Sequence, residues 1–224
     1  MIPRPLAKYA ADLATFPGDA ALAFRNDGLR GVWETIAPRT LHRVVRFSRL
    51  RVFAQPLDVI PELAAPDGVT IAPLQLAQIP LLAPIAGVRD RERFRRLLGT
   101  GCSGLVAWRG ARAVGYAWVA TEMRPEVSQC RLELPATAAY LWDLYVVPAE
   151  RGSGVGSALA SERLRTARAL GRTEGWRVIT PDNAASLRTL HRSGASTRLV
   201  GEIRYLKVGS RLYSRFSPCQ PTRH

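Results

Sequence analysis

The sequence predicts an α/β fold in which a mixed central sheet is flanked by helices and preceded by an N-terminal helical appendage. From residue 69 onward, short runs of β-branched and aromatic residues alternate with segments of helical periodicity. A glycine-rich turn at residues 151–156 joins one strand-like run directly to a helical pattern. With 224 residues, 47% of them apolar, the chain can bury a full core. We therefore expect a helical appendage and linker at residues 1–66, an α/β domain at 67–217 and a disordered tail at 218–224.

Helical spacing dominates residues 5–48. Leu6, Tyr9 and Leu13 recur at helical spacing until a Pro-Gly pair at 17–18 breaks the pattern. A second helix is expected behind Asp19, which serves as its N-cap, and a third follows until residue 45 with an interruption at Pro38. A short strand is then expected at 50–53, followed by a proline-bounded linker at 56–66.

The α/β domain is expected to follow the order β-α-α-β-β-β-α-β-α-β-β. Proline residues interrupt the first of its two leading helical segments, and a glycine turn joins the strands that come next. The predicted strands lie at 69–72, 104–108, 114–121, 139–147, 176–180, 197–206 and 211–216, and the predicted helices at 74–85, 91–98, 155–170 and 184–193.

The turn at residues 151–156, Arg-Gly-Ser-Gly-Val-Gly, has the composition of an anion cradle. Glycines allow a tight turn whose amides point one way, and the N-terminus of the following helix adds about half a positive charge. Its spacing differs from the Gly-x-Gly-x-x-Gly of dinucleotide folds and from the P-loop. The pattern predicts that the amides of Gly152, Gly154, Val155 and Gly156 hold a pyrophosphate, and the alternative is a plain strand-to-helix turn.

A second motif lies downstream, from Asn183-Ala184-Ala185-Ser186 to His191-Arg192-Ser193-Gly194-Ala195. Together with the turn and the run Trp142–Pro148, it resembles the GCN5-related N-acetyltransferase (GNAT) superfamily over residues 69–216. The resemblance implies an acyl-CoA co-substrate and no metal. It also implies that the backbone of Tyr145 and Val147 hydrogen-bonds the pantetheine arm. The residues that it assigns to acyl-CoA are Tyr145, Val146, Val147, Arg151, Gly152, Ser153, Gly154, Val155, Gly156, Asn183 and Ser186.

The candidate catalytic residues are Asp143 and His191. Asp143 is the carboxylate of the central strand, and relatives often carry a Glu one position earlier, where this chain has Trp142. Asp143 therefore either accepts the amine proton through water or is a structural carboxylate. His191 stands where many relatives have a Tyr that protonates the leaving thiolate, and helical spacing from Leu187 predicts that it faces inward. Asn183 is also expected to cap its helix.

The net charge of +14, from 32 basic and 18 acidic residues, favours anionic partners. No nucleic-acid recognition motif accompanies it, which argues against nucleic acid and leaves coenzyme A, an acidic acyl carrier protein or a membrane surface. Arginines crowd one predicted helix between residues 89 and 96, either as a solvated face or as a wall for an acidic acceptor. Cys102, Cys130 and Cys219 lack metal-ligand spacing, and no apolar run has the length of a membrane span, so a cytoplasmic protein without metal is expected.

The sequence thus predicts an N-acyltransferase that moves an acetyl or longer acyl group from coenzyme A to a small-molecule or peptide amine by direct attack, as a monomer or homodimer. Two alternatives stay open. One is an acyltransferase whose donor is acyl carrier protein, which the basic charge suggests. The other is a non-catalytic acyl-CoA-binding module, which the missing Glu and Tyr suggest.

Overall fold

A computed structural model describes residues 21, 22, 24, 25, 45–123, 132–192, 196–208 and 211–219. The strands of these ranges form one mixed sheet in the order β2-β3-β4-β5-β6-β1-β7-β8. Only β5 and β6 pair in parallel, and the other neighbours within the described ranges pair antiparallel. The strands are β1 Val45–Pro56, β2 Val69–Pro73, β3 Ser103–Arg109, β4 Arg112–Ala120, β5 Ala138–Val146, β6 Glu174–Ile179, β7 Arg198–Val208 and β8 Arg211–Pro218.

Three α-helices of the described ranges flank the sheet: α1 Val88–Gly99, α2 Val155–Ala169 and α3 Ala184–Arg192. The predicted fold class, a mixed sheet flanked by helices, is therefore confirmed. From β2 onward the predicted order holds, except that the first helix is a 3₁₀ helix, Leu76–Leu82. Pro80 lies inside it and removes the backbone donor that an α-helix would need there.

The first strand corrects the sequence analysis. Residues 45–48 were expected to be helical and 50–53 a short strand, but β1 runs over twelve residues, Val45–Pro56. It lies between β6 and β7 and pairs with both, so it belongs to the central sheet and not to a separate appendage or linker. The predicted helices before residue 45 lie outside the described residues, apart from Ala21, Leu22, Phe24 and Arg25, which are helical.

The chain end also differs from the expectation of a disordered tail from residue 218. Pro218 is the last residue of β8 and pairs with Gly201. The amide of Cys219 donates to the carbonyl of Val200 at 2.8 Å. The prediction is therefore wrong for these two residues, and residues 220–224 lie outside the described ranges.

The two faces of the sheet carry different cores. Helix α1 packs Phe94 against Tyr116 and Trp118 of β4, with ring centroids 5.0 and 5.1 Å apart. Helix α2 covers the other face, where Leu164 packs with Leu141 of β5. These two layers fix β4 and β5 between them, and β5 is the strand that leads into the glycine turn.

Strands β5 and β6 separate after a short parallel pairing. Their register runs from Ala138↔Glu174 to Tyr140↔Trp176, whereas β5 itself continues to Val146. Beyond Tyr140 the edge of β5 that faces β6 therefore has no strand partner within the described residues. We call the gap between β5 and β6 beyond Tyr140 and Trp176 the wedge.

Candidate functional site

The glycine turn follows β5 and begins α2, as the sequence predicted. Gly152 and Gly154 have φ angles of 85° and 103°, a conformation that favours glycine. Gly154 is the N-cap of α2 and supplies no side chain to the first helical amides. Those amides have no acceptor within the helix, so the turn presents them to whatever lies in front of it. Among the described residues, no atom outside the adjoining residues stands within 4 Å of a Cβ placed on either glycine, so there is open space at both positions.

Side chains near the turn brace it. Arg109 of β3 donates from Nε and Nη2 to the two Glu150 carboxylate oxygens, both at 2.8 Å, and from Nη1 to the Asp67 carbonyl. The hydrogen bond from Arg109 lowers the pKa of the Glu150 carboxyl. Arg151 Nε donates to the Val146 carbonyl at 3.2 Å, and Ser153 Oγ donates to the Glu150 carbonyl at 2.7 Å. Arg151 and Ser153 thus hold the loop with these side-chain groups.

The open edge of β5 corrects one expectation about its backbone. The Val147 amide donates to Val114 O at 3.0 Å, and the Val147 carbonyl accepts from the Glu150 amide at 3.0 Å. Alternate residues of an antiparallel strand point their backbone groups the same way, so Tyr145 also directs its amide and carbonyl toward β4. The backbone groups that face the wedge are those of Leu144 and Val146. A ligand lying along this edge would meet Val146 and not Tyr145 or Val147.

A β-bulge lies in β5 beside the wedge. Tyr116 pairs with Tyr145 and Trp118 with Trp142, so three steps on β5 match two on β4. The extra residue falls at Asp143, whose φ of 47° is in the left-handed region that Asp tolerates better than most residues. The bulge turns the Asp143 carboxylate toward α1.

Arg93 of α1 is the partner of Asp143. Its Nη2 donates to Asp143 Oδ2 at 2.6 Å, and the two side chains are 29% and 25% exposed. The Asp90 carboxylate lies 3.3 Å from the same Nη2. Burial raises the pKa of the Asp143 carboxyl, and the charge and hydrogen bond of Arg93 oppose that shift. Sequence reasoning missed this partnership, although it had noted the arginines of this helix.

Aromatic rings line the α1 side of β4 and β5. Tyr116 stacks on Tyr145 with centroids 5.5 Å apart, and Trp142 lies between Trp118 and Tyr140 at 6.3 and 6.4 Å. The Arg93 guanidinium lies 5.5 Å from the Trp142 ring centroid. The sequence did not predict this set of stacked rings, because it depends on which strands are neighbours in the sheet.

The second motif forms α3. Asn183 Oδ1 accepts the Ser186 amide at 3.0 Å, so Asn183 caps this helix as expected. The expectation that His191 faces inward is wrong, because His191 is exposed and Leu190, one residue earlier, is buried. No hydrogen bond or ion pair among the described residues joins His191 to Asp143. The structure thus places the loop, the bulge and the open edge of β5 together, and His191 on an exposed helix surface.

No helix among the described residues is long and apolar enough to cross a membrane. No curated protein matches the chain.

Solved structures share its fold at low identity. A Drosophila protein is 13% identical with a TM-score of 0.55, covering 81% of this chain and 67% of its own. The GCN5-related glucosamine N-acetyltransferase region of a fungal multi-domain GH3 beta-N-acetylglucosaminidase is 12% identical with a TM-score of 0.50, covering 76% and 22%. Aminoglycoside N-acetyltransferase AAC(6')-Iy in complex with CoA is 17% identical with a TM-score of 0.46, covering 57% and 91%. The chain thus spans about two thirds of the Drosophila protein and less than a quarter of the fungal one.

The family comparison covers the elements that build the site. Residues 74–195, more than half of the 224-residue chain, match the acetyltransferase (GNAT) family. The matched range contains β3 to β6, the glycine turn and the cap of α3. The chain belongs to the GNAT acetyltransferase family.

Proposed function

We propose that the protein is an N-acyltransferase that binds an acyl-CoA at the glycine turn and transfers its acyl group to a primary amine. The observation that carries this proposal is the turn itself, in which two glycines of positive φ precede the free amides of α2 at the end of a strand whose edge is open. Membership of the GNAT family supports the reaction class. The donor, the amine and a cytoplasmic location are part of the proposal.

The residues present fit the proposed donor. Free amides and the positive end of α2 suit a pyrophosphate at Gly152, Gly154, Val155 and Gly156. The wedge-facing Val146 amide and Leu144 backbone suit the amide groups of a pantetheine arm, which would lie there as an added strand. When bound, acyl-CoA supplies a thioester carbon that an amine can attack.

The proposed reaction needs no covalent enzyme intermediate. The lone pair of the neutral amine forms the new C–N bond, the C–S bond breaks, the amine loses one proton and the thiolate gains one. An ordinary aliphatic amine has a pKa near 10, so about one molecule in a thousand is neutral at pH 7. A residue that accepts the amine proton would therefore raise the rate.

Asp143 is the side chain that we propose for this proton, acting through water. The bulge places it beside the wedge, and burial raises its pKa, which strengthens it as a base. Arg93 positions the carboxylate. We propose that exposed His191 supplies the thiolate proton from the α3 side, in a minor role because thiolate is a tolerable leaving group.

The test is calorimetric titration of the full chain with acetyl-CoA and free CoA. In Gly154→Glu a carboxylate enters the phosphate site, and we expect affinity for both ligands to fall by at least about tenfold. The matched control is Gly171→Glu, which adds the same charge at another exposed glycine of positive φ, 75°, after the far end of α2. Gly171→Glu should keep the affinity of the parent chain.

Each contrary result has a distinct meaning. Equal affinities for the Gly154→Glu and parent chains would remove the turn as the donor site. If neither CoA species binds, the coenzyme donor is wrong, and an acidic acyl carrier protein becomes the donor to test. Donor binding without turnover on any amine in a broad screen would favour a non-catalytic acyl-CoA-binding module.

A further inference from the structure

We infer that the wedge between β5 and β6 binds a carboxylate through the guanidinium group of Arg163. The position of the wedge favours a carboxylate at the far end of the donor's acyl group, as in malonyl or succinyl thioesters. This inference rests on the proposed function and names the acyl class of its donor.

Arg163 carries the inference. It projects from α2 toward the sheet and is 4% exposed. Its Nη1 donates to the Trp142 carbonyl of β5 at 3.3 Å, and its buried Nε has no hydrogen-bond partner in the described structure. A buried arginine held by one long bond to a neutral carbonyl keeps donors for a further acceptor.

Arg177 lies on β6, the strand at the far side of the wedge, and its hydrogen bond runs away from the wedge to β1. It follows Trp176, the last residue of β6 that pairs with β5, and is also 4% exposed. Its Nη2 donates to Gln55 Oε1 of β1 at 3.1 Å. The two arginines are close enough to affect each other, because burial first and the charge of Arg177 second lower the pKa of Arg163 to about 9. Both groups therefore remain cationic at neutral pH.

Asp143, the described carboxylate that attracts Arg163, is already engaged. It forms its hydrogen bond with Arg93 at 2.6 Å. Burying a guanidinium is costly unless an anion offsets its charge. A carboxylate is the anion that matches guanidinium donors in shape, since it accepts two parallel N–H groups.

The order of groups along β5 places Arg163 at the acyl end of the donor. The turn follows the end of β5, the wedge-facing backbone of Val146 and Leu144 comes next, then the Asp143 bulge and then Trp142. A donor with its pyrophosphate at the turn and its arm along this edge therefore ends near the Trp142 carbonyl, where Arg163 lies. The methyl group of an acetyl donor cannot accept a hydrogen bond from that guanidinium, whereas a terminal carboxylate on a longer acyl group can.

The experiment measures the affinity of the full chain for CoA, acetyl-CoA and succinyl-CoA by calorimetry. The parent chain should bind succinyl-CoA about tenfold or more tightly than acetyl-CoA. Arg163→Gln should remove this preference and leave the affinity for free CoA unchanged. Arg168→Gln, which removes an exposed arginine from the same helix, should keep the preference.

A second arm tests whether the carboxylate belongs to the acceptor. Turnover with acetyl-CoA is compared for amino acids and for the corresponding decarboxylated amines. A preference for amino acids that Arg163→Gln abolishes would keep the carboxylate site but assign it to the acceptor. If Arg163→Gln changes neither preference, the inference is overturned and Arg163 merely satisfies the Trp142 carbonyl.

The outcomes separate this inference from the proposed function. Failure of all three CoA species to bind overturns both, whereas equal binding of acetyl-CoA and succinyl-CoA together with no acceptor preference overturns the inference alone. Thermal melting checks that Arg163→Gln folds. If it does not, Arg163→Lys provides the readout, because it keeps a buried cation but removes the parallel N–H groups that match a carboxylate, and it should reduce the preference.

Discussion

The backbone conformation of Asp143 determines which charged side chain its carboxylate contacts. Its left-handed φ of 47° creates the bulge that separates the carboxylate from the regular alternation of β5. The bulge lets the carboxylate meet Arg93, which comes from fifty residues earlier in the chain. Sequence reasoning found Asp143 as a candidate but not its partner, because nothing local in the sequence shows that α1 crosses β5 at this point.

Replacing Arg93 should destabilise the fold in a pH-dependent way. Burial raises the folded-state pKa of Asp143 and Arg93 opposes that shift, so Arg93→Gln should raise this pKa further. When burial raises the pKa of a carboxyl in the folded state, its protonated form suits the fold better than its ionised form. The free energy of unfolding therefore has its full value below the unfolded-state pKa, near 3.9, and falls as the pH rises through the folded-state pKa. The loss of unfolding free energy in Arg93→Gln should therefore be small at pH 4 and about 1–2 kcal/mol at pH 8.

Urea unfolding at several pH values measures this effect. Arg95→Gln, an exposed arginine on the same helix, is the control and should show no such dependence. In the double variant with Asp143→Asn, the extra pH dependence should vanish. A loss in Arg93→Gln that is equal at pH 4 and pH 8 would mean that the ion pair does not set the pKa of Asp143.

At the scale of elements, periodicity predicted the helices and strands that lie within the family region. The central strand, the turn and α2 were expected at 139–147, 151–156 and 155–170, and the structure has β5 at Ala138–Val146 and α2 at Val155–Ala169. The bulge, the separation of β5 from β6 and the orientation of backbone groups were not predictable. They depend on pairing between distant segments, which hydrophobic periodicity does not encode.

The close packing of β4, β5 and α2 gives a prediction at this scale. A Cβ on Gly115 of β4 would lie 2.7 Å from the Tyr145 carbonyl oxygen and 3.1 Å from Leu159 Cδ1 of α2. Since the nearest atom is backbone, Gly115→Ala should lower the unfolding free energy by about 2 kcal/mol or more. It should also weaken acyl-CoA binding, because it displaces the edge of β5.

Gly99→Ala is the matched control for this substitution. Gly99 is the last residue of α1 and has no atom within 4 Å of its added Cβ. Alanine there should leave stability unchanged or raise it by up to about 1 kcal/mol through its higher helix propensity. Chemical denaturation of both variants decides the matter, and a Gly115→Ala chain as stable as the Gly99→Ala chain would contradict the packing described for β4.

For the whole molecule, the main lesson concerns β1. Sequence reasoning assigned its first residues to a helix and only residues 50–53 to a strand. The alternation of Arg49 and Arg51 with Leu50 and Val52 is a strand signal that could have been used. That β1 enters the middle of the sheet, between β6 and β7, could not have been found this way because strand order is a property of the assembled fold.

The position of β1 predicts that the sheet unfolds as one cooperative unit. Val52 of β1 is fully buried and packs in one cluster with Trp176 of β6 and Ile203 of β7. Val52→Ala should lower the unfolding free energy by about 1–3 kcal/mol through the lost burial and the cavity. Because β1 joins both halves of the sheet, the midpoint for β3 and β4 should fall together with that for β7 and β8.

Hydrogen exchange at increasing urea, read by mass spectrometry on peptides from each strand, measures these midpoints separately. Val59→Ala, at a side chain 76% exposed just after β1, should shift none of them. If Val52→Ala lowered the midpoint only for β7 and β8, those strands with β1 would form a separate folding unit. The glycine turn and the wedge would then depend on β2 to β6 alone. A common shift would instead mean that the donor site depends on a strand that precedes the GNAT match by many residues.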